Sequence, residues 1–151
     1  MKLSVRNAKD YTLTSLLKKA TKFYANVLLG KNFNNLEIII VIEPGILSAA
    51  YCTNNENNNF YIEITKFKKI TTMLRVLAHE MVHVKQYFNK ELMEVENSTY
   101  WCGKKYEKMS YWDHPWEIEA YGLENSLVAK FIHKFDLYKQ LKERKSDWCM
   151  D

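Results

Sequence analysis

The chain has 151 residues, the size of one domain; 47% are apolar and 26% charged, a globular balance that excludes wholesale disorder. Twenty-two basic and 18 acidic residues leave a formal charge of +4, too mild an excess to mark a nucleic-acid binder by itself. Three cysteines, Cys52, Cys102 and Cys149, lie far apart with no paired spacing, which argues against a disulfide scaffold and against a cysteine-built zinc site.

Met1 to Asp10 alternate charge and apolarity and hold no stretch of the signal-peptide kind. The longest apolar run, Leu36–Ile42, is interrupted by Glu37 and far too short to cross a bilayer, so a soluble, cytoplasmic protein with no membrane partner is expected. Tyr11 to Leu29 predicts the first helix: Leu13, Leu16, Leu17, Ala20, Tyr24, Val27 and Leu28 recur at three- and four-residue steps, and Gly30 is a natural stop. Leu36–Ile42 is a β-branched run closed by Glu43-Pro44-Gly45 and predicts a buried strand. Ile46–Thr53 predicts a second strand. The Asn-rich stretch Asn54–Asn59 then turns it onto a third, Phe60–Phe67, where Phe60, Ile62 and Ile64 share one face.

A second long helix is predicted over Ile70–Phe88, with Ile70, Met73, Leu77, Met81, Val84 and Phe88 on about a third of its circumference. Residues 91–112 look irregular or hairpin-like, with a strand, a Gly-containing turn and a return over Tyr100–Tyr106. Pro115 opens a third helix that runs to about His133, and Asp136–Arg144 continues as a polar helical tail. No repeat or linker divides the chain. The expected fold is a single α+β domain over 1–151, with 136–151 as a tail and a small, mostly antiparallel sheet of three or four strands.

The informative residues are His79-Glu80-Met81-Val82-His83. Histidines at i and i+4 of a helix point the same way, with β-carbons roughly 5–6 Å apart. Both imidazoles can then reach one metal ion at about 2.0–2.1 Å. Glu80 projects at the edge of that face, where a carboxylate can take a proton from a metal-bound water. Val76, His79, Glu80, His83 and Tyr87 form a face distinct from the apolar stripe on Leu77 and Met81, so one side can pack while the other looks into a cleft.

A catalytic zinc usually takes three protein ligands and keeps a fourth position for water. The third is sought in Trp112–Tyr121, where a helix begins with two acidic residues close to the small Ala120. Against the face of Ala120, Leu123, Leu127 and Phe131, Glu117 lies about 60° away and Glu119 about 100° on the other side. Glu117 is the expected ligand and Glu119 the reserve, or a hydrogen-bond partner for a histidine ring N–H. Carboxylates near a helix N-terminus also stabilise the macrodipole, so their presence alone decides nothing.

With these residues in place, Leu77–His83 and Pro115–Tyr121 resemble the two signature segments of gluzincin-type zinc metallopeptidases. Together with Trp101–Lys104 and Tyr111–His114, the chain is similar to the short, SprT-like or minimal metallopeptidase domains common among bacteriophage-encoded proteins. That resemblance implies a zincin-like order of helix, small sheet, zinc helix and third-ligand helix. It implies Zn²⁺ on His79, His83 and Glu117, Glu80 as general base, and a protein or peptide substrate. It also implies a strand before the zinc helix that lies along the cleft and pairs with extended substrate, a role that would fall to Phe60–Phe67. SprT proteins proper use a third histidine and often a cysteine-rich module, neither of which is evident; His114 is the alternative histidine ligand, although its distance and its position before Pro115 do not match that pattern. Tyr111, His114 and Tyr121 are candidates for stabilising an oxyanion.

Lysine clusters at Lys66/Lys68/Lys69, Lys104/Lys105/Lys108 and Lys139/Lys142/Arg144/Lys145, with Trp101, Tyr106 and Trp112 beside the middle one, invite a nucleic-acid reading. A solvated face is the default, because acidic residues are interspersed. Three functions in different classes therefore stand: a zinc endopeptidase, a zinc-stabilised domain that binds without hydrolysis, and a basic nucleic-acid-binding module.

Overall fold

The computed structural model describes residues 1–30, 33–44, 50–55, 57–67, 69–107 and 110–141. The chain begins with strand β1 (Lys2–Arg6), then helix α1 (Tyr11–Leu29) and strands β2 (Glu37–Glu43), β3 (Ala50–Asn55) and β4 (Asn59–Thr65). Helix α2 (Ile70–Phe88) follows, then β5 (Leu92–Val95), β6 (Ser98–Trp101) and β7 (Lys104–Tyr106), a 3₁₀ turn at Tyr111–Asp113, and helix α3 (Pro115–Lys134). Residues 138–141 form a further short helical segment. No helix among the described residues is long and apolar enough to cross a membrane.

Local chemistry sets the helix ends. The Asp10 side chain accepts a hydrogen bond from the Thr12 amide at 2.7 Å, capping α1. At the other end Gly30 adopts φ +66°, where a β-carbon is unfavourable, and its N–H closes on Asn26. Pro115 occupies the first turn of α3, where its missing N–H costs no hydrogen bond. The Asn-rich turn has a similar logic: Asn57 and Asn58 sit at φ 66° and 61°, a left-handed conformation that asparagine tolerates better than most residues.

The main sheet has the order β1-β2-β4-β3 and is mixed, a correction to the mostly antiparallel sheet expected from sequence. β1 pairs parallel with β2, β2 parallel with β4, and only β3 with β4 antiparallel. Two features account for the difference. β1 is a five-residue edge strand with exposed charges at both ends, so it carries little apolar pattern. The β3–β4 hairpin also places its second strand, not its first, beside β2, and that pairing must be parallel. Residues 45–49, which include the start of the predicted strand Ile46–Thr53, lie outside the described residues, as do 142–151 of the expected tail.

The parallel register puts Ile38, Ile40 and Ile42 opposite Phe60, Ile62 and Ile64, all buried. This face joins the apolar residues of α1 and α2 in one core, including Leu17, Tyr24, Leu74, Leu77 and Met81. Each such side chain is worth roughly 1.5–3 kcal/mol on burial, before the entropy of ordering is set against it. The Tyr24 hydroxyl donates to the Leu74 carbonyl at 3.3 Å, tying α1 to α2. α3 packs along α2 with Ala120 fully buried, and its Phe131 ring stands 5.6 Å from Phe23.

Residues 92–106 form a separate three-stranded antiparallel meander, β5-β6-β7. Its turns are two-residue connections, Glu96-Asn97 and Cys102-Gly103, all four at positive φ, the geometry that suits the twist of a tight hairpin. The second of these is the predicted Gly-containing turn; β5 carries no such signal.

Candidate metal centre

His79 and His83 lie one turn apart on α2, and their Nε2 atoms are 3.2 Å from each other. Glu117, in the first turn of α3, completes the group: Oε2 is 3.2 Å from His79 Nε2 and Oε1 is 3.5 Å from His83 Nε2. One ligating atom from each lies within 4.8 Å of the others, so this buried trio can hold a metal ion. The close approach of α3 depends on the buried Ala120, one turn beyond Glu117.

The outer nitrogens of both rings are already committed. His79 Nδ1 lies 3.1 Å from Glu124 Oε2, and His83 Nδ1 lies 2.8 Å from Gln86 Oε1. Both partners are acceptors, so each Nδ1 carries a proton and each Nε2 of a neutral ring presents a lone pair. Two lone pairs and a carboxylate then converge on one small volume, and the only hydroxyl donor that reaches them among the described residues is Tyr111, on Glu117 Oε2. An Nε2 can donate to Glu117 only if its ring is doubly protonated. The cluster is thus built to hold positive charge, a proton or a cation.

The electrostatics agree. Burial alone would push the Glu117 carboxyl up, but hydrogen bonds from His79 and His83 in their protonated, charged form, and from Tyr111, outweigh it and hold the group well below the usual carboxylate range. For His83, burial works against charge, yet the Glu117 carboxylate and the Glu80 charge leave its pKa raised overall. The Glu80 carboxyl is also raised, chiefly by burial and further by Glu117, against the opposing pull of His83 and His79.

Glu80 is 5% exposed and lines the cleft with the trio. No described residue donates a hydrogen bond to its carboxylate. Its oxygens are not among the fully buried, unpartnered atoms, so the carboxylate of this largely buried side chain faces the cleft.

The remaining candidates are placed elsewhere. Glu119 is not among the converging groups: its carboxylate accepts from Lys85 Nζ at 2.7 Å and from Gln86 Nε2 at 2.8 Å. It reaches a histidine only through Gln86. His114 stacks on Trp116 at 4.4 Å between ring centroids, away from the trio. Tyr121 packs edge-on against the His79 ring at 4.5 Å. Tyr111 lines the cleft and donates its hydroxyl proton to Glu117 Oε2 at 2.7 Å; burial and that carboxylate raise its pKa.

Sequence reasoning missed Glu124 and Gln86. Glu124 follows Glu117 by seven residues, two turns along the same face of α3, and Gln86 follows His83 by three. Both spacings are visible in the chain once the ligands are known. Arg75 Nε stands 3.8 Å from Glu124 Oε1 and partly offsets its charge.

The cleft has a volume of about 440 Å³ and is lined by Ala50 and Cys52 of β3 together with Tyr87, Leu92 and Tyr111. Burial, with the charge of Glu80, holds the Cys52 thiol well above its ordinary pKa, so it stays neutral and outside the ligand group. The strand Phe60–Phe67 does not border the cleft as an edge: β4 is hydrogen-bonded on both sides, to β2 and β3. The edge strand here is β3.

The middle lysine cluster sits beside rings that have other work. Trp101 and Tyr106 pack against Trp116 at 6.3 and 5.9 Å and so brace the first turn of α3; Trp112 is 67% exposed and lies against Tyr121. Lys68, Lys108, Lys142, Arg144 and Lys145 lie outside the described residues. Compared with known proteins, the chain matches no family model, no curated sequence and no solved structure.

Proposed function

We propose that the chain is a zinc-dependent metallopeptidase of the zincin type, with His79, His83 and Glu117 as the metal ligands and Glu80 as the general base. The observation that carries this reading is the Glu80 carboxylate, which lines an open cleft beside three converging acceptors and takes no hydrogen bond from a described residue. Two imidazoles and a carboxylate suit zinc, and the same donor set also suits iron(II). Glu80 favours zinc hydrolysis, since a site that only binds or only stabilises has no use for a second buried carboxylate.

A zinc ion held there supplies Lewis acidity to a water and to the scissile carbonyl. Glu80 takes the proton from that water at its carboxylate and passes it to the leaving amine. Its raised pKa suits both duties, because a stronger acid would hold the proton too weakly to be an effective base. Glu124 and Gln86 keep both rings with Nε2 directed inward. Tyr111, the one candidate hydroxyl that both lines the cleft and reaches the trio, supplies a donor for the developing oxyanion by turning its single proton from Glu117 Oε2 toward it. The substrate is a protein or peptide in extended form, and the site lies in the cytoplasm, of the host if the chain is phage-encoded.

Metal analysis of wild type and His83→Ala, purified without chelator, tests the ligand set. One zinc per chain in the wild type and none in the variant is expected; iron in its place, or no metal, overturns the reading. Glu80→Gln should keep its zinc and lose cleavage of an unfolded protein substrate, and cleavage that survives removes Glu80 from its role.

A further inference from the structure

Gln86 is fully buried near the C-terminus of α2, and both of its polar atoms are engaged. Its Nε2 donates to the Trp116 carbonyl at 2.9 Å and to Glu119 Oε2 at 2.8 Å. Neither partner can donate, so the amide cannot be turned over: the NH₂ must face them and Oε1 must face His83 Nδ1, 2.8 Å away. An amide oxygen is an acceptor only. The proton of neutral His83 therefore sits on Nδ1, and the lone pair sits on Nε2, toward the metal position.

The other side of the same amide reaches α3. Trp116 immediately precedes Glu117, so the bond to its carbonyl fixes the turn that delivers the third ligand. Glu119 is itself held by Lys85, whose Nζ lies 2.7 Å from Glu119 Oε1 and 2.7 Å from Glu91 Oε2. His79 has no comparable arrangement: its partner Glu124 accepts its ring proton but makes no bond to the first turn of α3.

We propose that Gln86 is a positioning residue that holds His83 as its Nδ1–H tautomer and ties that histidine to the first turn of α3, so that one amide sets the second and third ligands together. This rests on the metal-centre reading above, but its first readout needs no metal. Ring-nitrogen correlation spectra of the metal-free protein, at mildly alkaline pH, report the His83 tautomer. Zinc affinity comes from competition with a chromophoric chelator. Both are measured for wild type, Gln86→Leu, Gln86→Glu and the pair Gln86→Glu/Glu119→Gln.

Wild-type His83 should be protonated on Nδ1. Gln86→Leu should lose that bias and about 10–100-fold in zinc affinity, the usual range for removing a ligand's hydrogen-bond partner. Gln86→Glu keeps an acceptor for His83 but sets a carboxylate against Glu119 and the Trp116 carbonyl, so it should also bind zinc more weakly. Adding Glu119→Gln restores a donor between the two side chains, though not to the Trp116 carbonyl, and should recover part of the lost affinity. A merely space-filling glutamine would not show that recovery.

His83 protonated on Nε2 in the wild type overturns the proposal. So does a paired variant no tighter than Gln86→Glu alone, and this arm remains decisive if Gln86→Leu fails to fold. A wild type that binds no zinc yet carries the proton on His83 Nδ1 overturns the metallopeptidase reading and supports the tautomer lock.

Discussion

Helix α2 is buried on two sides by opposite kinds of chemistry. Toward the sheet and α1 it presents Met73, Leu74, Leu77, Met81 and Val84, all fully buried among apolar neighbours. Toward α3 and the cleft it presents His79, His83 and Gln86, whose contacts are specific hydrogen bonds to Glu124, Glu117, Trp116 and Glu119. The apolar side depends on volume and patterning, which many sequences satisfy. The polar side depends on which atom donates to which, and one exchanged partner leaves a buried group unpaired. Apolar packing is therefore concentrated on one side of the helix and the candidate metal centre on the other.

Four changes test that division, from the largest expected effect to the smallest. Glu80→Gln should lower peptide hydrolysis by about 10²–10⁴-fold, measured by turnover, with thermal midpoint and zinc content close to wild type. Tyr111→Phe should lower turnover by about 10²–10³-fold if its hydroxyl meets the oxyanion, with little change in KM. Leu77→Ala, on the apolar side, should cost about 2–5 kcal/mol in denaturant unfolding while the folded fraction still takes up one zinc per chain. Loss of zinc binding in folded Leu77→Ala would break the separation of the two sides. Glu124→Gln should weaken zinc by about tenfold in a competition titration, with unfolding stability of the metal-free protein nearly unchanged.

The contrast also explains what could be read from sequence. α1 and α2 are legible to their end residues because Gly30 and a regular apolar spacing are local signals. The two histidines are legible for the same reason, being one helical turn apart, and Glu117 follows from helix angles measured on α3 alone. Gln86 and Glu124 were not, because their importance lies in partners 30 and 45 residues away. Sheet topology fails at the same level. The alternation in Phe60–Phe67 identifies a buried face, but a two-residue period says nothing about which neighbour lies on either side. Hence the substrate-pairing role that the resemblance implies for Phe60–Phe67 meets a strand paired on both sides. β1 and β5 escape notice because the first has no buried residue and the second has only Leu92.

The β5-β6-β7 meander has one consequence of its own. It is the covalent connection between His83 and Glu117, and Leu92 is the only buried residue in its three strands. An ion bound at both ends of this stretch closes a loop much as a disulfide would, removing chain entropy from the unfolded state worth on the order of 3–5 kcal/mol. An ion at that site would fasten a part of the fold that has little apolar burial of its own. Chelation should speed amide exchange across 92–106 first, while the Ile38–Ile42 and Phe60–Ile64 ladders stay protected.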